Sequence, residues 1–471
     1  MFPDKSSFTR GIHPLFWVVE VGRWLSGRVA TLCFAATFCA SVDAESLAIV
    51  GGLLIDGQGD KPIRDSVVVI ENDRIVAAGR QETISVPDDA TTIDATGKTV
   101  MPGLADMHVH LLGGWDGVSV DMLGYQRYLN ALLYAGVTTV FDVGNVMPYI
   151  IQMRNEVNAG RLTGPRIYSV GALIDGPDPV WPPVAFALSS ETQIPNIVYQ
   201  LATAGVDAIK AYKGLSIPQL RTLVAEAKRH DLSVIVDFWS RTASLDAALA
   251  APHAFAHLPP KPLSDEALKA IVDNAVSFQT TLAVKESFAF RRLDDLSFMN
   301  FPLIADTSPP AFIAQLREYA EAPRDTEFVS GRTKNFEIGM TSVMRLHDAG
   351  VMLVAGTDAP YPGVTLGEGL HRELELLVEA GLTPLEAIQA ATQNAAKLMG
   401  AEEEWGTLAA GRRADLLVID GRPDEDISDT RKIDMVIQRG VILDRATLRL
   451  DPQRDPGFMP GSAVSSGYGV H

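Results

Sequence analysis

Two histidines, one residue apart, are the first chemically informative feature. His108 and His110 end the apolar segment GLADMHVH. Side chains two positions apart in a β-strand lie on the same side, so both imidazoles can bind one cation. The pattern is short, and two histidines with ordinary hydrogen bonds at a strand end would look the same. The pair therefore indicates a metal site only where further ligands approach it.

Four more residues able to ligate a metal or carry a proton also end short apolar runs. They are Lys210 in DAIKAY, Asp237 in VIVDFW, His257 in AFAHL and Asp358 in AGTDAP. A buried amine is costly unless it is paired, neutral or modified. Lys210 either pairs with an acid or reacts with carbon dioxide to form a carbamate that bridges two metals. Asp358 can ligate a metal and accept a proton from water, or simply cap a turn.

The segments that must position these residues alternate short apolar runs with amphipathic stretches from residue 102 to 404. This rhythm is typical of parallel βα units, and eight such runs predict an α/β fold, a closed (β/α)8 TIM barrel. Active-site groups of such barrels lie at the C-terminal ends of the strands, where all six residues fall. The predicted strands are GLADMHVH (103–110), VTTVFD (137–142), RIYSVG (166–171), VDAIKAY (206–212), SVIVDFW (233–239), AFAHL (254–258), FQTTLAV (278–284) and VMLVAGTD (351–358).

Both flanks of the barrel read as β-structure. Residues 45–101 and 405–450 contain alternating apolar runs separated by Gly, Asn and Asp. We predict that the two flanks combine into one small β-sandwich domain. Residues 451–471 are rich in Pro, Gly and Ser and are predicted to form a flexible tail.

Residues 1–44 are predicted to be a signal peptide cleaved near Ala44. An uncharged stretch, 29–42, follows two arginines and precedes small residues. The alternative is a membrane-tethering helix, although the stretch is too short to span a bilayer comfortably. Cleavage would make the protein secreted or periplasmic, without a stable membrane span. Both cysteines, Cys33 and Cys39, would be removed, so a metal in the mature chain must be held by His, carboxylate or modified Lys.

Composition excludes several classes of protein. The chain has 40 Lys+Arg and 58 Asp+Glu, a net charge of -18, which argues against binding to nucleic acid or anionic lipid. Its 47% hydrophobic and 21% charged residues argue against disorder and coiled coil. A small-molecule substrate is the expected partner, and self-association into a homo-oligomer stays open.

Taken together, these motifs resemble the amidohydrolase superfamily, most closely its imidazolonepropionase-like and Xaa-Pro dipeptidase-like hydrolases. The resemblance runs from Ser46 to Asp444. It implies a distorted (β/α)8 TIM barrel with a small β-sandwich domain formed from both chain ends, one or two divalent metals that are most often zinc, and hydrolysis of amide, cyclic amide, ester or carbamate bonds. The matching segments are VMPGLADMHVH, IKAY, AFAHL, VAGTDAP, TPLEAIQAATQNAAKLMG and GTLAAGRRADLLVID.

The resemblance also assigns roles to individual residues. His108, His110 and Asp358 match ligands of the first and eighth strands, Lys210 matches a lysine that is often N6-carboxylated, and His257 matches the strand-six histidine. The family usually has a histidine where this chain has Asp237. Asp237 either keeps a second metal as a carboxylate ligand, marks the loss of that metal, or bonds a neighbouring strand.

The expected activity is hydrolysis of a carbon–nitrogen bond in an amide, dipeptide, N-acyl amino acid or cyclic amide by a metal-bound hydroxide. Asp358 would act as general base and then acid, and His257 as a ligand or a donor that polarises the carbonyl. Alternatives are a metal-dependent esterase, lactonase or phosphotriesterase, and a non-catalytic periplasmic binding protein.

Residues around the active site are less clearly indicated. Tyr212 and Trp181 are candidate substrate-binding residues, although either can be a packing residue. The long segment 285–334 is a candidate lid. Arg291 and Arg292 within it are candidate carboxylate ligands or solvated side chains.

Overall fold

The computed structural model describes residues 46–59, 61–114 and 121–451 of the 471-residue chain. The predicted signal peptide and the tail from 452 onward lie outside these residues. Within the described ranges the strands are β1 (Ser46–Leu54), β2 (Ile63–Glu71), β3 (Arg74–Arg80), β4 (Thr91–Asp94), β5 (Thr99–Pro102), β6 (Leu104–Val109), β7 (Val137–Asp142), β8 (Arg166–Ser169), β9 (Leu173–Asp175), β10 (Ala185–Ala187), β11 (Ala208–Ala211), β12 (Ser233–Asp237), β13 (Ala254–Ala256), β14 (Ser277–Gln279), β15 (Leu353–Val354), β16 (Leu416–Ile419), β17 (Ile433–Gln438) and β18 (Val441–Ile442).

Amphipathic helices separate most of the central strands. Ser216 caps the helix that follows β11, and Pro218 lies in its first turn, as predicted. In the described part of the chain, no helix is both long and apolar enough to cross a membrane. The α-helices are α1 (Tyr125–Tyr134), α2 (Tyr149–Asn158), α3 (Ile194–Ala204), α4 (Ile217–Lys228), α5 (Ser244–Leu249), α6 (Asp265–Asp273), α7 (Leu282–Phe288), α8 (Pro302–Ala305), α9 (Pro310–Glu321), α10 (Thr326–Asp348), α11 (Glu368–Glu379), α12 (Pro384–Ala390) and α13 (Gln393–Leu398).

One eight-stranded sheet contains strands from both flanks of the chain. Its order is β18-β17-β16-β5-β1-β2-β3, and β4 pairs with β1. The two flanks meet where β5 pairs antiparallel with β16, with Met101 opposite Leu417. Ile49, Val68 and Leu416 are buried in the apolar cluster of this sheet. Both flanks of the chain therefore contribute strands to one sheet.

The central strands form two parallel sheets, β6-β7-β8 and β10-β9-β11-β12-β13-β14-β15. Each of the eight predicted runs overlaps one of these strands, and most of the strand residues are buried, as expected for parallel sheets covered on both faces. Strands β9 and β10 were not predicted. Backbone hydrogen bonds also place β6 beside the segment after β15, from Met107 N to Ala355 O at 3.1 Å and from Asp358 N to His108 O at 2.7 Å.

The prediction that one strand covers residues 278–284 is wrong at its C-terminal end. The strand stops at Gln279, and α7 begins at Leu282. The buried carboxylate of Glu373 accepts hydrogen bonds from the backbone N–H groups of Leu282 and Ala283, at 2.9 and 2.6 Å. These groups have no partner inside the helix, so a carboxylate from α11 stabilises the helix start at this position.

His371 on α11 gives the fold a pH-dependent element outside the set of candidate site residues. Its Nε2 lies 2.9 Å from Ala135 O and its Nδ1 2.9 Å from Thr430 Oγ1. Burial, followed by the charge of Arg431, lowers the pKa of His371 from 6.5 to about 4. The folded state therefore favours the neutral imidazole.

Because the folded-state pKa is depressed, stability from neutral His371 is present above pH 6.5 and is lost as the pH falls toward 4. The loss amounts to about 3 kcal/mol at most. Urea unfolding between pH 7 and 4 should show a flatter pH dependence for His371→Gln than for the wild type. His230→Gln, at a partly exposed helix end, is the control. An unchanged slope in His371→Gln would contradict this assignment.

Candidate metal centre

Two imidazoles converge on one carboxylate oxygen at the ends of β6 and β15. Nε2 of His108 lies 3.3 Å from Oδ1 of Asp358, and Nε2 of His110 lies 3.1 Å from the same oxygen. Possible ligand atoms of these three residues all lie within 4.8 Å of one another. This is a cluster that could hold a bound cation, built from His108 on β6, His110 just after β6, and Asp358 in the segment after β15.

A second pair of potential ligands lies next to the first cluster. Nε2 of His257 is 3.3 Å from Oδ2 of Asp237, and the ring centres of His108 and His257 are 4.7 Å apart. The Oδ2 atom is buried and makes no hydrogen bond to any described residue. Lys210 is also buried, and no hydrogen bond or ion pair to its ammonium is found within the described ranges. The buried amine thus lacks a direct protein partner, whereas Oδ2 of Asp237 faces the His257 imidazole.

The three histidines are oriented by contacts to their other ring nitrogen. Nδ1 of His108 lies 3.2 Å from Gln279 Oε1, Nδ1 of His110 lies 2.9 Å from Gly144 O, and Nδ1 of His257 lies 2.8 Å from Thr281 Oγ1. Metal-binding histidines usually use one nitrogen for the metal and the other for such a contact. In all three residues, Nε2 is the atom left facing an acidic side chain.

Burial and charge act against each other in this site. Burial raises the pKa of Asp358, but His108 and His110 outweigh it and hold that pKa well below 3.8. Burial, followed by the charge of Lys210, lowers the pKa of His108 well below 6.5. Burial also lowers the pKa of Lys210 to about 8, although Asp237 and Asp358 oppose this shift. A carboxylate anion beside a neutral imidazole is the form in which both groups bind metals.

This donor set fits a divalent transition metal. Imidazole nitrogen and carboxylate oxygen are common zinc ligands, and the structure provides three imidazoles and two carboxylates in one region. His108, His110 and Asp358 meet the distance requirement as a group. The buried Oδ2 of Asp237 without a hydrogen-bond partner is consistent with a further ligand position.

All eight residues predicted for the site line one cavity of about 700 Å³, a volume that includes its open mouth. Its lining includes the six predicted metal-site residues and also Tyr212 and Trp181. Nε1 of Trp181 donates a hydrogen bond of 3.0 Å to the Tyr212 hydroxyl. The loop after β9 and the end of β11 are thereby connected at the wall of the cavity. Tyr361 and Asn145 also line it, and neither was predicted.

A clamp made by the side chain of Asp106 positions the two parts of the first cluster. Asp106 accepts hydrogen bonds from Thr357 N at 3.0 Å and from Thr357 Oγ1 at 2.7 Å. The clamp ties β6 to the residue before Asp358. Gly356 permits this approach, because a Cβ atom there would lie 2.7 Å from His108 Cβ. Close packing of the two segments therefore requires glycine at this position.

Two site residues also adopt unusual backbone conformations. His257 has φ of 74° and Asp358 has φ of 64°. Residues other than glycine rarely occupy this left-handed region, and such strain concentrates at functional sites. No sequence pattern near either residue predicted it.

Gln279 and Asp106 are the clearest site residues that the sequence analysis missed. Gln279 Nε2 donates to Met107 O at 2.6 Å, and its Oε1 contacts His108. The signal in the sequence was an amide within the apolar run FQTTLAV, and this amide is fully buried in the structure. Asp106 had a similar signal, an acid within GLADMHVH.

Comparison with known proteins decides the family. The model described as "Amidohydrolase family" matches residues 99–443. The chain belongs to the amidohydrolase family. Ochratoxinase of Aspergillus niger is 23% identical over 444 residues, which cover 82% of this chain and 84% of that protein.

Solved structures agree with this family at the level of the fold. A protein assigned as a prolidase from Bifidobacterium longum superposes with a TM-score of 0.70 and 25% identity, covering 86% of this chain and 98% of that one. A Xaa-Pro dipeptidase with bound methionine gives a TM-score of 0.67 and 24% identity, with 85% and 100% coverage. This amidohydrolase therefore has the α/β fold of these proteins.

Gln279→Leu should weaken metal binding without unfolding the protein, because it removes the contact that orients His108. Loss of such a contact typically costs 10–100-fold in metal affinity. Competition for zinc with a chromophoric chelator measures the change. Gln438→Leu on β17, which removes a hydrogen bond to Gly164 O, is the matched control. Equal zinc affinity in Gln279→Leu and the wild type would contradict a metal-positioning role.

Proposed function

We propose that this amidohydrolase is a metal-dependent enzyme that hydrolyses a carbon–nitrogen bond in a small molecule. The observation that carries the proposal is the convergence of His108, His110 and Asp358 within one cavity. Asp358 is 248 residues from His110 in sequence, and the fold brings its carboxylate to the imidazoles of the histidine pair. Membership of the amidohydrolase family supports the same activity. Zinc is the proposed metal.

His108, His110 and Asp358 would hold one divalent cation, and Lys210, Asp237 and His257 would complete a second position. A cation bound there supplies Lewis acidity, which lowers the pKa of water toward about 7 and polarises a carbonyl group. The N6-carboxylated form of Lys210 supplies two anionic oxygens in place of an unpaired ammonium. Its burial and its lack of a protein partner support this modification.

Asp358 is the proposed general base and acid. Its depressed pKa keeps the carboxylate ionised, and its position beside both histidines places it at the reacting centre. It accepts a proton from the attacking water as the new carbon–oxygen bond forms. The same proton then passes to the leaving nitrogen as the carbon–nitrogen bond breaks. His257 orients the carbonyl where it is not serving as a ligand.

Tyr212 and Trp181 are proposed to bind the substrate from the cavity wall. Their mutual hydrogen bond fixes the tyrosine hydroxyl and the indole together, so a substrate meets a rigid aromatic surface with one polar atom. Amides, dipeptides, N-acyl amino acids and cyclic amides are the proposed substrate classes. An ester or lactone substrate is an alternative outcome of the same assay panel.

We further propose that the two parallel sheets close into one distorted (β/α)8 barrel over residues 102–404. The hydrogen bonds between β6 and the segment after β15 support closure on one side, and the bond of 2.9 Å from Asp207 N to Ser169 O supports it on the other. Residues 45–101 and 405–450 would form the β-sandwich. The signal peptide at 1–44 and a secreted or periplasmic location belong to the same proposal.

Both the metal content and the activity of the chain should depend on Asp358. Elemental analysis of the purified chain should find one or two equivalents of metal, and Asp358→Asn should lower kcat by about 10²–10⁴-fold as a general base is lost. A panel of Xaa-Pro dipeptides, N-acyl amino acids and lactones provides the assay. The exposed Asp265→Asn is the control. A metal-free protein that neither zinc nor manganese activates would contradict the enzyme assignment.

Carboxylation of Lys210 should make metal content depend on bicarbonate. Refolding the metal-depleted chain with zinc should yield up to twofold more bound metal in bicarbonate than in carbon dioxide-free buffer, because the carbamate adds a bridging ligand. Lys210→Met should remove this difference, while the surface variant Lys269→Met keeps it. Intact mass spectrometry cannot replace this measurement, since carbamates are lost in acid. Equal zinc content in both buffers would exclude a role for the modification.

A further inference from the structure

Two cations beside the candidate metal centre lack an acidic partner. Lys285 is 1% exposed, and its ammonium has a single hydrogen-bond acceptor among the described residues, Asn335 Oδ1 at 2.5 Å. Arg332 on α10 makes no ion pair or hydrogen bond within the same residues. The guanidinium instead lies over three aromatic rings. A buried ammonium next to a second, partly buried cation is costly unless an anion is present for part of the time.

Two nearby glutamates are already paired with arginines, and Asp237 acts on Lys285 only through its charge, without an ion pair. Glu286 follows Lys285 but accepts two hydrogen bonds from Arg372, at 2.9 and 2.7 Å. Arg292, a candidate carboxylate ligand from the sequence, is itself bound in a bidentate manner by Glu368 at 2.8 and 2.7 Å. Lys285 and Arg332 therefore remain without an ion pair among the described residues.

Aromatic rings hold the two cations at a fixed place. The Lys285 ammonium lies 4.7 Å from the ring centre of Trp239, and the Arg332 guanidinium lies 5.7 Å from the same ring. Phe288 and Phe328 are 5.2 and 4.9 Å from the guanidinium. Cation–π attraction favours the charged form of both groups, and the rings partly shield them from water, which strengthens their interaction with an incoming anion.

This cluster adjoins the cavity through two ring contacts. Trp239 packs edge-on against His257 with ring centres 5.0 Å apart, and Phe288 packs against Tyr361 at 5.3 Å. Both His257 and Tyr361 line the cavity. The ammonium of Lys285 is therefore no more than about 10 Å from the centre of the His257 ring.

We propose that Lys285 and Arg332 form an anion subsite that binds a carboxylate of the substrate. One amino-acid residue spans about 3.8 Å, and a charge-assisted hydrogen bond adds about 2.8 Å. Neither cation is among the residues that line the cavity, so in this proposal the α-carboxylate of a dipeptide or an N-acyl amino acid approaches them beside Tyr361 and Phe288 while its amide lies near the histidines. The inference rests on the proposed hydrolase function and narrows its substrates to those bearing a carboxylate, excluding neutral cyclic amides.

Burial, followed by the charge of Arg332, lowers the pKa of Lys285 to about 7. A bound carboxylate would reverse this shift and favour the charged amine. A lowered pKa of Lys285 is the direction expected for a site in which two cations repel each other and no anion is bound.

Calorimetric binding of 3-phenylpropionate and 3-phenylpropionamide to the metal-loaded chain tests the subsite without requiring turnover. The wild type should bind the acid at least tenfold more tightly than the amide. Lys285→Met and Arg332→Met should each lose tenfold or more in affinity for the acid and change less than twofold for the amide. Lys334→Met, an exposed position on the same helix, is the matched control.

Arg332→Lys guards against a fold defect, because it keeps the charge and should retain most of the preference for the acid. Thermal melting compares the variants. Absence of a preference in the wild type, or the same preference in both methionine variants, would overturn the subsite and assign acid binding to the metal centre. A protein that shows the preference and its loss but hydrolyses none of the substrate panel would contradict the proposed function alone.

Discussion

The meeting of two imidazole nitrogens at one buried carboxylate oxygen is the constraint on which this structure depends. Removing Asp358 from water is unfavourable, and the contacts to His108 and His110 offset that cost. The arrangement holds only if β6 and the segment after β15 stay in register. Asp106, Thr357 and the absence of a side chain at Gly356 maintain this register. The geometry of the site therefore depends on the packing of these two segments.

Much of this could be predicted because residues at strand ends follow simple geometry. Alternation along β6 placed His108 and His110 on one side, and the βα rhythm placed the other acids, amine and imidazole at equivalent strand ends. Each of these residues lines the same cavity in the structure. The predicted flanking strands also pair with each other through β5 and β16. The local alternation of residues and the common direction of parallel strands are sufficient to predict these features.

Features that depend on partners distant in sequence were not predictable in the same way. Gln279 was hidden in an apolar run until the structure placed it against His108. The end of β14 depends on a carboxylate of α11, Glu373, that lies about 90 residues further along the chain. Arg292 resembled a free surface cation but is paired with Glu368. No local pattern shows which of several arginines is neutralised, so the unpaired Lys285 and Arg332 emerge only from the complete set of contacts.

The pairing of β5 with β16 has a consequence for biosynthesis. More than 300 residues separate Met101 from its partner Leu417, so one edge of β5 has no strand beside it until nearly the whole chain has left the ribosome. An uncovered strand edge invites pairing with other chains. The nascent protein thus has an unpaired strand edge on β5 while its central region is being synthesised. A chain truncated before Leu416 keeps that edge unpaired. Chaperone protection of the first hundred residues would have to last until translation of the last strands.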